Sequence, residues 1–169
     1  MGALAATAIY STSGAEKTLP ASGAWEYTSA LSVADRETIC LHVAYDPAAT
    51  GGYPVIIPFV SYADAEPAAG ADSWFALPAS DGLPASTTYT GAVPSGADYT
   101  FAPGFGQVDV RALAVRPMAA AAAASNEVRQ TIAIDLRRSA VGARWIQFAI
   151  AEVGATGSPG AALITATAA

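Results

Sequence analysis

Apolar and polar residues alternate along two segments in the last third of the chain. In the segment 144–152, Ile146, Phe148 and Ile150 point to one side, and Trp145, Gln147, Ala149 and Ala151 point to the other. A repeat of two residues is the period of a β-strand. The segment 128–136 shows the same alternation, so we expect the two segments to pair as a central hairpin joined by residues 137–142.

The clearest alternation earlier in the chain lies in the segment 37–45. Ile39, Leu41, Val43 and Tyr45 share one face, and Thr38, Cys40, His42 and Ala44 share the other. Asp46 and Pro47 end this strand. The segment 53–62 is a nearly continuous apolar strand, but it contains Pro58. Because proline has no backbone N–H to donate, Pro58 predicts an edge strand or a bulge.

Shorter β-prone segments complete the pattern, at residues 25–31, 73–77, 107–115 and 161–167. Residues 79–106 are rich in Pro, Gly, Ser and Thr, and the six alanines at 119–124 are too few for an independent helix. Residues 1–14 form an extended N-terminal arm with an apolar part at 4–10. This part is either a first strand on its own sheet or a segment that adds to the sheet edge of a neighbour.

These segments make eight or nine strands, and none shows the period of an amphipathic helix. We treat residues 15–169 as a single domain, as their number suggests. Antiparallel strands of this number and length enclose a core most simply as two stacked sheets. The sequence therefore predicts an all-β fold, an antiparallel two-sheet β-sandwich that is jelly-roll-like and has long Pro/Gly-rich loops. The cysteine pair of a true immunoglobulin domain is missing.

The composition of the chain serves mainly to exclude classes of protein. Hydrophobic residues make up 53% of the chain and charged residues 13%, which is unlike the composition of disordered proteins. No segment approaches the run of about 20 apolar residues that a membrane-spanning helix needs. The N-terminus has no basic residue before its short apolar part, unlike a signal peptide. We therefore expect a soluble protein with no membrane partner.

The net charge of −6 is unevenly distributed. Residues 1–104 hold ten acidic and two basic residues, whereas residues 105–169 hold four acidic and six basic ones. An acidic total argues against a phosphate-binding face, so we expect no nucleic acid partner. The six basic residues lie in or beside predicted strands and are Arg111, Arg116, Arg129, Arg137, Arg138 and Arg144. They either guard solvated strand edges or form a polar interface with carboxylates of a neighbouring subunit.

Cys40 and His42 are the only cysteine and the only histidine. With one of each, a disulfide within the chain and a Cys/His zinc site within one subunit are excluded. The two residues lie side by side on one strand, so a thiolate–imidazole pair is geometrically possible. The simpler interpretation is a small buried thiol and a half-buried imidazole on the less apolar face of the strand.

Carboxylates offer two further candidates. Asp109 and Asp135 could serve acid–base chemistry if their strands are neighbours, although each has an arginine nearby with which it would pair. Calcium could be bound by loop carboxylates at Asp64, Glu66, Asp72 and Asp81, but their spacing is not that of a known calcium loop. We therefore predict no catalytic residue, no metal site and no cofactor, and a protein that is not an enzyme.

The tryptophans are candidates for stacking on sugar rings if they are exposed on one face of the sandwich. For Trp74 and Trp145, which lie inside apolar segments, core packing is the favoured interpretation, and Trp25 stays open. A carbohydrate-binding module would expose aromatic side chains on one face or loop rim, from the set Trp25, Tyr53, Tyr62 and Tyr89.

Three parts of the chain together carry a family resemblance. They are the segment 29–45 with the apolar strand 55–60, the segments 129–136 and 144–152, and the segment 152–160 before the final strand. In pattern, they resemble the small β-sandwich virion proteins of tailed bacteriophages, in particular head decoration or cement proteins.

The resemblance implies a non-enzymatic structural protein with a jelly-roll fold, often a homotrimer, on the capsid exterior of a virion. Such a subunit stabilises the head by bridging neighbouring copies of the major capsid protein. The family has no catalytic residues to carry over. Two alternatives stay open, namely a carbohydrate-binding β-sandwich module and a structural subunit of the phage tail or baseplate.

Overall fold

The computed structural model describes residues 5–20, 24–48, 52–69, 71–77, 87–88, 111–114, 128–153 and 158–169. The strands are β1 (Thr7–Tyr10), β2 (Lys17–Thr18), β3 (Glu26–Tyr27), β4 (Leu31–Ser32), β5 (Thr38–Asp46), β6 (Tyr53–Ser61), β7 (Phe75–Ala76), β8 (Thr87–Thr88), β9 (Arg111–Ala114), β10 (Val128–Asp135), β11 (Trp145–Val153) and β12 (Ala161–Ala168). One short helix, α1 (Leu136–Ser139), lies between β10 and β11. The alanine run at 119–124 and most of 79–106 lie outside the described residues.

The strands form two antiparallel sheets packed against each other. In sheet I the order is β1-β12-β5-β10, and β2 pairs with one end of β12. In sheet II the order is β3-β11-β6-β9-β8, with β4 beside β11 and β7 beside β6. The predicted all-β, antiparallel two-sheet sandwich is therefore confirmed, whereas its jelly-roll-like character stays a prediction.

The main core fills the space between the sheets. The alternating apolar residues of β5 all point into it, as the sequence predicted, and are at most 2% exposed. From the other side β11 contributes Ile146, Phe148 and Ile150. Burial of such side chains is worth about 1.5–3 kcal/mol each, so both strands contribute substantially to stability.

The predicted hairpin between residues 128–136 and 144–152 is wrong. Strand β10 pairs with β5 in sheet I, whereas β11 pairs with β6 in sheet II along all nine of its residues. The intervening residues form α1, capped by the Asp135 side chain, and a turn in which Gly142 has a φ of 79°. This connection carries the chain from one sheet to the other, which a two-residue hairpin turn would not do.

Pro58 does not mark a sheet edge, because β6 lies between β11 on one side and β7 and β9 on the other. Opposite Pro58 in β11 is Phe148, whose backbone bonds run away from β6 to Thr28. The ring nitrogen of Pro58 therefore faces the far side of β6. On that side of β6, residues 55–56 pair with β9 and residues 59–60 pair with β7, and Pro58 lies between these two paired parts. Pro58 therefore sits where β6 needs no backbone donor for its hydrogen bonds to the neighbouring strands.

The predicted strand at 25–31 is divided into β3 and β4. Between them Thr28 donates its N–H to the Phe148 carbonyl at 2.8 Å, and the Thr28 hydroxyl accepts the Phe148 N–H at 3.0 Å. The Thr28 hydroxyl thus takes the place of a backbone carbonyl as acceptor, and the regular backbone hydrogen bonding to β11 is interrupted at this point. For the N-terminal segment, the structure shows the first of the two alternatives, since β1 pairs with β12 of its own sheet.

Candidate functional site

The two sheets differ in how much of their outer surface is covered. On the outer side of sheet II a second apolar cluster is fully buried, with Val55, Ile57, Phe59, Trp74 and Ala149 at its centre. On the outer side of sheet I, the described residues are exposed or half-buried. We call this surface the open face, and it consists of Cys40, His42 and Ala44 on β5, Arg129, Thr131 and Ala133 on β10, and Leu163, Thr165 and Thr167 on β12.

His42 lies at the centre of the open face, because β5 runs between β10 and β12. Thr131 is its cross-strand neighbour on one side and Thr165 on the other. The His42 Nδ1 atom is 3.3 Å from the Thr131 hydroxyl, and its Nε2 atom is 3.4 Å from the Thr167 hydroxyl. The ring therefore lies between hydroxyls of the two neighbouring strands, which can donate or accept according to the tautomer.

A depression of about 320 Å³ lies on the open face. It is lined by His42, Val43, Ala44, Arg129, Gln130, Thr131, Leu163 and Thr165. Half of these side chains are small. His42, Arg129 and the hydroxyls of Thr131 and Thr165 supply hydrogen-bonding groups, and Ala44 and Leu163 supply apolar surface. Contacts between proteins use the same mixture of polar and apolar groups.

Cys40 and His42 do share one face of β5, as predicted, but the buried-thiol interpretation does not match their exposure. Cys40 is half-buried and His42 is exposed. The hydrogen bonds of the imidazole run to Thr131 and Thr167, not to the thiol. The contacts of the imidazole are therefore with these two hydroxyls, and the thiolate–imidazole pair that the sequence allowed is not formed.

The candidate carboxylates are dispersed. Asp135 caps α1 by accepting the Arg138 N–H at 3.3 Å, and the exposed Asp64 forms an ion pair with Arg144 at 2.9 Å. Glu66 and Asp72 are exposed, whereas Asp81 and Asp109 lie outside the described residues. Within the part of the chain that the structure describes, no three metal-ligating side chains come together.

Arg137 and Arg144 form ion pairs within the chain. Arg144 bonds to Asp64, and Arg137 bonds to Glu37. Arg138 is exposed and Arg129 lies on the open face. The side chains of Arg111 and Arg116 fall outside the described parts. Whether these arginines also meet a neighbouring subunit stays a prediction.

Core packing is confirmed for the two tryptophans in apolar segments. Trp74 is fully buried and donates its Nε1–H to the Ala68 carbonyl at 2.8 Å, and Trp145 packs half-buried against the same cluster. Trp25 and Tyr53 also pack against that cluster. Tyr89 lies outside the described residues.

Tyr62 is 47% exposed and lies beside Phe75, which is 51% exposed. Their ring centroids are 6.1 Å apart with planes tilted by 56°. Phe75 was missed at the sequence level, because a period of two places it on the same side as Leu77, which is buried.

The most buried polar contact was also missed. Glu152 is 1% exposed, yet its carboxyl group accepts the Tyr45 hydroxyl at 2.6 Å and the Gly160 N–H at 2.9 Å. Tyr45 belongs to sheet I and Glu152 to sheet II, so this bond joins the two layers. Burial raises the pKa of Tyr45, and the contact with Glu152 adds to this effect. The inward position of Glu152 follows from the alternation of β11.

A second polar cluster joins β1 and β2 to β3. Lys17 and Glu26 form an ion pair, and the Tyr10 hydroxyl lies 3.1 Å from Glu26 and 3.0 Å from the Thr18 carbonyl. Burial, reinforced by the Glu26 charge, raises the pKa of Tyr10. This cluster holds β1 and β2 against β3, so it is structural.

Comparisons with protein-family models, with curated proteins and with solved structures found no match to this chain. In the described residues, no helix has the length and apolar character to cross a membrane.

Proposed function

We propose that the protein is a non-enzymatic structural subunit of a phage virion, a decoration protein that binds the major capsid protein on the capsid exterior and stabilises the head. The proposal has two supports. One is the resemblance in pattern to head decoration proteins. The other is the open face, which is the feature of the sandwich best suited to contact another protein.

The open face carries the proposal because the opposite outer surface is already covered. An antiparallel sheet is stable with one face in the core and one in water, so sheet I needs no cover to fold. Its outer residues, chiefly Thr, Ala and His, are small and mostly uncharged around His42. The depression on this face is wide open, which suits contact with a second protein surface, whereas a small substrate needs a more enclosed cavity.

Binding to capsids tests the proposal. Purified protein is mixed with capsids of the encoding phage that have been stripped of decoration proteins, and the bound fraction is measured by co-sedimentation. We expect saturable binding and a rise in the temperature at which the capsids open. The variant Thr165→Arg places a long charged side chain on the open face, and Thr12→Arg makes the same change in an exposed turn.

The proposal predicts that Thr165→Arg lowers the affinity for capsids by tenfold or more, as expected for a charge placed in a contact, while Thr12→Arg binds as the wild type does. Absence of wild-type binding, together with unchanged heat resistance of the capsids, would contradict the proposal. Equal binding by both variants would show that the open face is not the contact surface.

A carbohydrate-binding function is the second candidate, and the exposed pair Tyr62 and Phe75 favours it. Two neighbouring exposed rings can stack on a sugar, although their tilt of 56° does not form one flat platform. A glycan array tests this alternative. Binding that is lost in Phe75→Ala would support it, and an array without hits would remove it.

A further inference from the structure

Among the described residues, strand β10 is a long and regular strand at the edge of sheet I. It has eight residues, contains neither Pro nor Gly, and keeps its register with β5 from Val128 to Asp135. No described segment pairs with its other side. Proteins usually shorten, bend or block such edges, because unpaired N–H and C=O groups bind other strands.

The other described edges are protected in these ways. At the opposite side of sheet I, β1 has four residues and a register shift between Ala8 and Tyr10. In sheet II, the outermost strands β3, β4 and β8 have two residues each. Of the edges that the structure describes, β10 is therefore the one without these protective features.

The backbone groups available on this edge can be identified. Leu136, the residue after β10, donates its N–H to the Glu37 carbonyl, so its backbone N–H points toward the β5 side. Thr38 of β5 exchanges two backbone hydrogen bonds with Ala169, so the backbone groups of Thr38 point toward β12 and away from β10. Since successive residues of a strand point their backbone groups to opposite sides, even-numbered residues of β10 bond to β5. The N–H and C=O groups of Thr131 and Ala133 therefore point outward.

The sequence of β10 is complementary to itself in one antiparallel register. If Ile132 lies opposite Ile132 of a second copy, Thr131 lies opposite Ala133, and their outward backbone groups form hydrogen-bonded pairs. In the same register Arg129 lies opposite Asp135, once on each side of the two-fold axis. Each charged pair projects from the same side of the sheet as the open face.

The side chain of Ile132 supports the same register. It is half-buried at the edge of the main core. Opposite its own symmetry mate it forms a non-hydrogen-bonded pair, in which side chains are closest, so both copies would become covered. Arg129 and Asp135 also make contacts within the chain. A guanidinium has five donors and a carboxylate about four acceptor positions, so a further partner can be accommodated.

We propose that β10 is a homotypic docking edge, at which two copies of this chain pair antiparallel with Arg129 opposite Asp135 and join their copies of sheet I into one continuous sheet. This inference is independent of the proposed virion function. The contact is two-fold, so it cannot by itself produce the trimer expected from the family resemblance. It would link two subunits, or two trimers, to each other.

One strand pair buries less than the roughly 800 Å² per partner of a stable interface, so the free dimer is weak. We expect a dissociation constant in the range of about 0.1–1 mM in dilute buffer. Sedimentation equilibrium up to about 1 mM protein covers this range. The wild type should then shift from the 17.0 kDa subunit mass toward twice that mass as its concentration rises.

Charge reversal tests the register. Arg129→Glu places two acidic side chains opposite each other at both ends of the pair, and Asp135→Lys places two basic ones there. Each variant alone should dimerise about 10–100-fold more weakly, because two attractive cross-strand pairs become repulsive. An equimolar mixture should dimerise as well as the wild type, since every pair in the mixed dimer is attractive. Arg36→Glu, in the turn before β5, is the matched control and should dimerise normally.

Recovery in the mixture separates the docking edge from a loss of folding, because an unfolded variant could not be rescued by another. A wild type that stays monomeric to about 1 mM would overturn the inference, since at that concentration about half of the chains or more would be dimeric throughout the expected range of dissociation constants. So would an oligomer whose mass is unchanged by both single reversals. If both single variants dimerise weakly and the mixture is not restored, the proposed register is wrong.

Discussion

The buried bond between Tyr45 and Glu152 permits a sharp test of how the two sheets are held together. The substitution Tyr45→Phe removes only a hydroxyl and keeps the ring, which is fully buried in the main core. It leaves Glu152 with a single described donor, the Gly160 N–H at 2.9 Å. The oxygen that accepted the hydroxyl at 2.6 Å is then buried without a partner.

Leaving a buried acceptor unsatisfied costs about 1–3 kcal/mol. For a domain of this size, 1 kcal/mol lowers the melting temperature by about 2–4 °C, so Tyr45→Phe should melt about 4–8 °C lower at the midpoint of that range. The hydrophobic contribution of the ring is unchanged. The loss therefore measures the polar contact itself.

Urea unfolding followed by circular dichroism gives the free energy of unfolding directly. Tyr62→Phe makes the same chemical change at a ring that is 47% exposed and should alter stability by less than about 0.5 kcal/mol. The double variant Tyr45→Phe/Glu152→Gln should lose less than the sum of the two single losses, because both changes break one contact. Equal stability of Tyr45→Phe and Tyr62→Phe would refute the reasoning.

Three further predictions concern the same region and its neighbours. Gly160→Ala should cost about 1–3 kcal/mol in thermal or urea unfolding, because a Cβ atom there would lie 2.7 Å from the Tyr45 ring; an unchanged midpoint would contradict this. Stability should fall as pH rises above about 10, since unfolded tyrosine ionises there while the pKa of Tyr45 is raised in the fold, and Tyr45→Phe should flatten that fall. Thr28→Val should lose about 1–3 kcal/mol because the Phe148 N–H loses its acceptor, whereas Thr28→Ser should retain most of the stability; equal losses would argue against the hydrogen bond.

The alternation of apolar residues was enough to predict the central strands. In β5 the period of two corresponds residue by residue to the observed burial, because one face of this strand is in the core and the other is open. The strand at 161–167 and the two-layer fold followed from the same reasoning. These features depend on local pattern, which a sequence displays directly.

Pairing between strands could not be predicted in this way. The segments of β10 and β11 have the same alternation and are close in sequence, yet they belong to different sheets. Alternation states which side of a strand is apolar but not which neighbour the strand has. The connection between them contains the helix α1 and crosses from one sheet to the other. A helix of four residues is too short to be recognised from the sequence, so the crossover could not be told from a hairpin turn.

Long-range polar contacts were equally hidden. Tyr45 and Glu152 are 107 positions apart, and nothing in either segment specifies the other. The open face was visible as the less apolar side of β5, but its extent across β10 and β12 required the register of three strands. Sequence reasoning thus identified the β5 part of the open face, but not the residues of β12 or the assembly of the three strands.

The central claim is that this sandwich serves as a protein-binding subunit on the outside of a virion, and the composition of the virion tests it most directly. Quantitative mass spectrometry of purified particles of the encoding phage measures the copy number of the chain relative to the major capsid protein. The account predicts a fixed, high ratio that disappears when intact particles are treated with protease under conditions that spare the capsid. Absence of the chain from purified particles would contradict it.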